Sequence, residues 1–369
     1  MVYLDYSAST KICKEALDTY VKVSTSFYGN PNSMHTLGLK SKKLIDESLN
    51  KIASNLNIKP SEIIFTSGAS ESNNTALKGI AFKYKNRGNH IISTKLEHSS
   101  ILETLNFLEK EGFVVDYVNI DSNGLVDLNH LNNLLNDKTI LVSINAISSE
   151  LGIKQPLKEI KKVLDKYPKC FFHSDVTQLV GKEKLDLSFL DLASLSSQKF
   201  YGPKSVGLLY KKEKLELEPL IHGGKSTTIY RSGTPDPALI ASMSKALTVI
   251  NANLDENLNI VKSLNKYLLN KLKTLDIDIN SNEYSIPHIV NISLKGINSE
   301  TMLHALEQDE IYVSTKTACS NGDYSEAVYT LTKDLEKSKR SLRISISHLT
   351  TTEEIDFFVD RLEYYIKNL

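Results

Sequence analysis

The sequence predicts an α/β protein, with a large domain on a mainly parallel seven-stranded sheet and a small α+β domain behind it. Over the first two thirds of the chain, short apolar runs alternate with longer amphipathic stretches, the pattern of strands joined by crossover helices. At 369 residues the chain is also longer than one hydrophobic core usually serves. From Pro237 onward, apolar residues at helical spacing (Leu239, Met243, Leu247, Ile250, Leu254, Leu258, Val261, Leu268) predict one long helix or two in succession, bridging to the second domain. The boundary is placed at 253/254, giving domains 1–253 and 254–369.

The seven strands are read at Glu62 to Phe65, His90 to Thr94, Val114 to Asn119, Ile140 to Asn145, Cys170 to His173, Asp191 to Leu195 and Val206 to Tyr210. Helices are read between them at Leu37 to Leu56, Ser72 to Tyr84, Ser100 to Glu111 and Leu157 to Lys166. The small domain carries strands near Ile289 to Leu294, Ile311 to Ser314 and Leu342 to Ser347, and closes with a helix near Thr352 to Lys367. No internal repeat or low-complexity tract interrupts the order.

Lys+Arg and Asp+Glu both number 44, so no net field recruits nucleic acid or an anionic membrane. The start lacks the basic and apolar regions of a signal peptide, and no run approaches the roughly 20 apolar residues of a membrane span. These features predict a soluble cytoplasmic protein without membrane or direct nucleic-acid contacts. Three cysteines with no Cys-x-x-Cys pair predict neither a disulfide framework nor a metal site. Cys13 reads as incidental and Cys170, beside Phe171-Phe172, as a small buried hydrophobe. Cys319 differs, because Thr317-Ala318-Cys319-Ser320-Asn321-Gly322-Asp323 is polar and carries a turn signal at Asn-Gly.

The run Ser194-Leu195-Ser196-Ser197-Gln198-Lys199-Phe200-Tyr201-Gly202-Pro203-Lys204 follows a strand and an earlier acidic motif, His173-Ser174-Asp175-Val176-Thr177-Gln178. A carbonyl cofactor such as pyridoxal 5'-phosphate (PLP) needs an amine to hold it, an acid to keep its ring nitrogen protonated and donors for its phosphate. Lys199, Asp175 and Ser196 supply these three groups. The loop Thr66-Ser67-Gly68-Ala69-Ser70 leads from a strand into a helix, whose first N–H groups and positive dipole end suit a phosphate. Arg343 offers a planar bidentate donor for a substrate carboxylate.

With these motifs in their order, the chain resembles the cysteine desulfurases of the PLP-dependent fold type I, class V aminotransferase superfamily. Matching segments include Tyr3-Leu4-Asp5-Tyr6-Ser7-Ala8-Ser9-Thr10, Gly29-Asn30-Pro31-Asn32-Ser33-Met34-His35, Phe65 to Asn73, Glu97-His98, Arg231-Ser232-Gly233-Thr234, Ala318-Cys319-Ser320 and Arg343-Ile344-Ser345. The resemblance implies that Lys199, Cys319 and His98 are catalytic. It implies that Ala69, Ser70, His98, Ser149, Asp175, Gln178, Ser196, Lys199 and Thr234 bind PLP, Gln178 at its phenolic oxygen and Thr234 from a neighbouring subunit in a homodimer. Arg343 and Asn30 are implied to bind substrate. The implied reaction converts L-cysteine to L-alanine and leaves the sulfur as a Cys319 persulfide for an acceptor, an iron–sulfur scaffold or a tRNA sulfurtransferase. It also implies that the N-terminal segment packs with the small domain, and that the stretch from Cys319 to Arg343 is the long loop of the swinging-loop group. Lys316, three residues before the cysteine, is read as favouring its thiolate.

Two positions depart from the family pattern. Ser197-Gln198 stands where Gly-His is common, and Ser148-Ser149-Glu150 where Asn-Asn-Glu is common. The segment Val313 to Ser320 is nearer to homologues dedicated to one acceptor, such as a 4-thiouridine or 2-thiouridine enzyme. The rivals are another class V PLP enzyme, such as a selenocysteine lyase or a kynureninase-like enzyme, and a non-catalytic homologue. The first is tested at Cys319, whose Ala variant should lose sulfur release while keeping PLP, and the second at Lys199, whose aldimine absorbance would argue against an empty scaffold.

Overall fold

The computed structural model describes residues 1–224, 227–315 and 324–369. Its strands are β1 (Val2–Tyr3), β2 (Ile63–Thr66), β3 (His90–Ser93), β4 (Val114–Tyr117), β5 (Thr139–Ser143), β6 (Phe171–Asp175), β7 (Leu192–Ser196), β8 (Gly207–Lys211), β9 (Ile277–Ile279), β10 (Ile289–Leu294), β11 (Ile311–Tyr312) and β12 (Ser341–Ser345). The large sheet runs β2-β8-β7-β6-β5-β3-β4. Only β8 is reversed, pairing antiparallel with both β2 and β7. The C-terminal ends of the other six strands therefore share one edge, where open α/β sheets place their ligands. Residues of β5 and β7 are buried throughout, because helices cover both faces of a parallel sheet.

The four helices read from the sequence in this domain form within three residues of their predicted ends, as Thr36–Leu56, Ala69–Lys83, Ser99–Lys110 and Leu157–Leu164. The long apolar repeat resolves into two helices, Pro237–Ala252 and Leu254–Leu272. The first starts cleanly, since the Asp236 carboxylate accepts from the N–H groups of Ala238 (2.8 Å) and Leu239 (3.2 Å) and Pro237 needs no partner. The helices Lys14–Ser26, Leu128–Leu134 and Ser299–Gln308 were not read from the pattern. Two more, Glu326–Thr332 and Leu335–Lys339, fall within the stretch expected to be one long loop before Arg343.

Two of the main cores among the described residues frame the site. One packs helices against the large sheet around Phe172, Leu195, Phe200 and Leu247. The other joins Leu268, Ile292, Leu306, Ile344 and Phe358 to Val2 and Leu4. The N-terminal residues enter this second core because β1 pairs with β11 and the Leu4 carbonyl accepts from Ser345 N–H at 2.7 Å. The chain then crosses to the large sheet. Thr10 N–H and its hydroxyl both donate to the Gln198 carbonyl at 2.9 Å, Tyr201 N–H donates to Thr10 Oγ1 at 2.8 Å, and Cys13 N–H donates to the Tyr201 carbonyl at 2.8 Å. Tyr201 sits at φ 65°, a left-handed conformation costly for a non-glycine residue and held here by this strap.

Gly202 closes the same turn so tightly that a Cβ there would stand 2.0 Å from Ser197 Oγ. Gly202→Ala should lower unfolding free energy by about 1–3 kcal/mol through overpacking. Ser197→Ala in the same chain should recover a large part of the loss, as read by calorimetry; strictly additive effects would show that the hydroxyl is not the obstacle.

Candidate active site

A cavity of about 340 Å³ opens at the C-terminal edge of the large sheet and is lined by Lys199, Asp175, His98, Gln178, Ser196, Ser149 and Arg343. It lies in the size range of small-molecule sites. Lys199 ends the short turn after β7, and its amine donates to the carbonyls of Ser7 (2.8 Å) and Ala8 (2.6 Å) on the strap. Asp175 is the last residue of β6. Its Oδ1 accepts from Thr177 N–H at 3.0 Å and its Oδ2 from Asn73 Nδ2 at 2.8 Å.

Asn73 also donates, at 2.9 Å, to the hydroxyl of Ser100. His98 caps the helix that follows it. Its Nδ1 accepts from the Ser100 N–H at 3.1 Å, so the ring hydrogen of the neutral form is on Nε2. Burial pulls the His98 pKa below its ordinary value, the Asp175 carboxylate opposing, and favours this neutral form. Beneath it, Glu97 Oε1 accepts from Asn145 N–H (2.7 Å) and Thr94 Oγ1 (3.0 Å). Burial, with Asp175 nearby, raises the Glu97 carboxyl to about 8, so it is protonated at neutral pH.

At the N-terminus of the helix Ala69–Lys83, Gly68 has φ 152° and a Cβ on it would stand 3.5 Å from Ser196 Oγ. Glycine keeps this recess open between the first N–H groups of the helix and the Ser196 hydroxyl. On the opposite wall, Arg343 projects from β12 and is 2% exposed. Its guanidinium donates to the Ser149 carbonyl (3.0 Å) and Asp5 Oδ1 (2.7 Å), while Nε has no partner among the described residues.

The backbone of Arg343 pairs with Ser314, at 2.6 Å and 3.1 Å, and Ser325 Oγ donates to Glu150, next to Ser149. Both described flanks of the segment containing the predicted Cys319 are thus fixed to the pocket wall. Cys319 and Lys316 themselves lie outside the described residues.

Residues 2–358 match the Aminotransferase class-V family. The chain is 38% identical to the cysteine desulfurase IscS of Clostridium botulinum (strain Kyoto / Type A2), over 99% of this chain and 94% of that protein. A solved NifS-like protein superposes with a TM-score of 0.95 at 33% identity, covering all of both chains. The structure described as SspA in complex with cysteine superposes with a TM-score of 0.84 at 29% identity, over 95% of this chain and 100% of that one.

The chain belongs to the class-V aminotransferase family. Within it, its relatives make it an enzyme of the cysteine desulfurase group. The family is PLP-dependent, and the donor set fits that cofactor: an amine, a carboxylate held at the sheet edge, and an open glycine-lined recess with a serine hydroxyl.

Of the residues implied by the resemblance, Ala69, Ser70, His98, Ser149, Asp175, Gln178, Ser196, Lys199 and Arg343 line one cavity. Asn30 and Thr234 do not: both are exposed on this single chain. Gln198, noted as a departure, lines the pocket and accepts from Thr10 through its carbonyl. Asn73, Asp5, Ser7 and Ala8 were quoted only within matching segments, yet they hold Asp175, Arg343 and Lys199. All four act across long sequence separations, and two through backbone carbonyls, which no residue pattern discloses.

Glu97 carries a pH signature. Its carboxyl is protonated in the fold up to about 8 but ionises near 4.5 when unfolded, so its contribution to stability is complete below pH 4.5 and falls as pH rises toward 8. Glu97→Gln should flatten that decline, which approaches about 1.4 kcal/mol per pH unit for one group. Denaturant unfolding from pH 5 to 8 checks this, and parallel curves for both proteins would refute it.

Proposed function

We propose that the protein is a PLP-dependent cysteine desulfurase that takes L-cysteine, releases L-alanine and passes the sulfur through Cys319 to an acceptor protein. The observation that carries the reading is the convergence of Lys199, Asp175, the Gly68–Ser70 recess and Arg343 on one cavity.

In this reading Lys199 holds PLP covalently, Asp175 faces its ring nitrogen, and Ala69, Ser70 and Ser196 hold its phosphate. Gln178 meets its phenolic oxygen, and His98 and Ser149 complete the wall. Bound there, PLP supplies an electron sink for the electrons at the substrate Cα. Arg343 orients the substrate carboxylate with its planar donors, competing with Asp5 for the same fork. Lys199, once free, is the base nearest the substrate, and neutral His98 offers its Nε2 hydrogen to the pocket. The Cys319 thiolate takes the sulfur: the substrate C–S bond breaks, an S–S bond forms, and two hydrogens of the reactants end on the alanine methyl and the terminal persulfide sulfur. Atoms balance with no external oxidant.

A homodimer belongs to the same reading. Thr234 is exposed and lies three residues from Arg231, whose guanidinium donates at 2.9 Å to Glu71 on the cavity wall, which supports its assignment to the cofactor phosphate of a second copy.

Lys199→Ala should lose turnover by several orders of magnitude, each tenfold corresponding to about 1.4 kcal/mol. Brief exposure of the wild type to L-cysteine should add one sulfur to the Cys319 peptide and none to those of Cys13 or Cys170, as read by mass spectrometry. Full desulfurase activity in Cys319→Ala would sink the sulfur-carrying role. By sedimentation the protein should be a dimer, and Thr234→Ala should retain PLP less well; a fully active monomer would contradict the shared site.

A further inference from the structure

The buried amine of Lys182 has no part in the reading above, and the geometry points to it as a positioning residue that fixes which end of the Gln178 amide faces the pocket. Lys182 is 6% exposed and lies on the turn after β6, its Nζ donating to Gln178 Oε1. On the other side, Gln178 Nε2 donates at 3.0 Å to the Ser7 carbonyl. That same carbonyl accepts the Lys199 amine at 2.8 Å. Gln178 therefore stands between a group that only donates, an ammonium, and a group that only accepts, a carbonyl. Only one of the two amide orientations satisfies both neighbours; the flipped one sets carbonyl against carbonyl and N–H against N–H.

The consequence falls on the cavity. Held this way, Gln178 presents its NH₂ end on the side of Ser7 and the pocket, suited to an anionic oxygen. This rests on the reading that the pocket takes PLP, whose phenolic oxygen is such a group. Burial, with the cations of Lys199 and Arg343 adding to it, pulls the Lys182 amine down to about 7. The charged form only donates and so dictates the orientation; the neutral amine still donates to Gln178 Oε1 but also carries a lone pair, so above that pH the Ser7 carbonyl carries more of the selection. An amine this deeply buried costs stability unless it is bonded, and Gln178 is the partner that the structure gives it.

Lys182→Met keeps the apolar stem and removes the donor. Its dissociation constant for PLP, measured by adding PLP to the apoprotein, should rise about tenfold, the scale of one buried hydrogen bond. The visible-absorbance pH titration of the loaded protein should move to higher pH, because the anionic oxygen loses its donor. Lys182→Gln, which restores an N–H toward Gln178, should recover most of both changes. Adding Lys182→Met to Gln178→Ala should change nothing further, since a positioning residue acts through the group it positions. Wild-type affinity and titration in Lys182→Met, or losses that add in the double variant, would overturn the inference. Should Lys182→Met fail to fold, Gln178→Glu keeps an acceptor for Lys182 and removes the donor; unchanged PLP affinity there overturns it equally. A wild-type protein that takes up no PLP would instead overturn the reading of the pocket itself.

Discussion

The site depends on one contact, the Lys199 amine held by the carbonyls of Ser7 and Ala8. Main-chain carbonyls cannot be ionised or easily displaced, so these two acceptors hold the amine at the cavity. The strap that offers these carbonyls is itself fixed at both ends. Its beginning belongs to the second core through Leu4 and Asp5, and its end is stitched to the turn at Gln198 and Tyr201. Lys199 and Arg343 reside in different layers of the molecule, and this segment gives their separation a physical cause.

Buried polar atoms lacking a partner among the described residues gather around the same cavity: Ser7 Oγ, Asn73 Oδ1, Glu97 Oε2, Asn145 Oδ1, Ser197 Oγ and Arg343 Nε. Each unmade bond costs on the order of 1–3 kcal/mol, so a fold selected for stability alone would not collect them. Thr75 Oγ1, Ser174 Oγ and His288 Nδ1 also lack a partner among the described residues, but other buried polar groups are fully bonded. His173, for instance, is buried between Ser143 and Ser194 and bonded to both hydroxyls. Uneven satisfaction of this kind is the mark of a surface shaped for another molecule's polar groups.

Sheet direction explains why so many groups meet. Six strands share one C-terminal edge; the turns after β2, β3, β5 and β7 contribute Gly68, His98, Ser149 and Lys199, and the end of β6 contributes Asp175. Two of those turns enter helices, adding positive dipole ends beside the cavity. The reversed β8 lies between β2 and β7 and lets the Gly68 recess adjoin Ser196 across a Gly207 whose Cβ would strike Gly68 at 2.7 Å.

The seven strands, the four early helices and Lys199, Asp175, Ser196 and Arg343 as candidates, which the fold brings to one cavity, were legible in the chain from local apolar periodicity and residue chemistry. The pattern was silent on the Lys14–Ser26 helix, whose buried residues are few, and it read as loop the stretch where Glu326–Thr332 and Leu335–Lys339 coil, helices too short to declare a period. Departures such as Ser197-Gln198 could be seen but not weighed. Only the fold shows Ser197 pressed against Gly202 and Gln198 tied by its backbone to Thr10. What the sequence determined by itself was the fold class and the candidate groups now found at the cavity, which depend on side-chain chemistry and short-range spacing. Tertiary structure alone decided the contacts among them, Asp5 on Arg343 and Ser7 on Lys199, because hydrogen bonds to backbone atoms and pairings between residues far apart in the chain arise from packing and leave no local pattern.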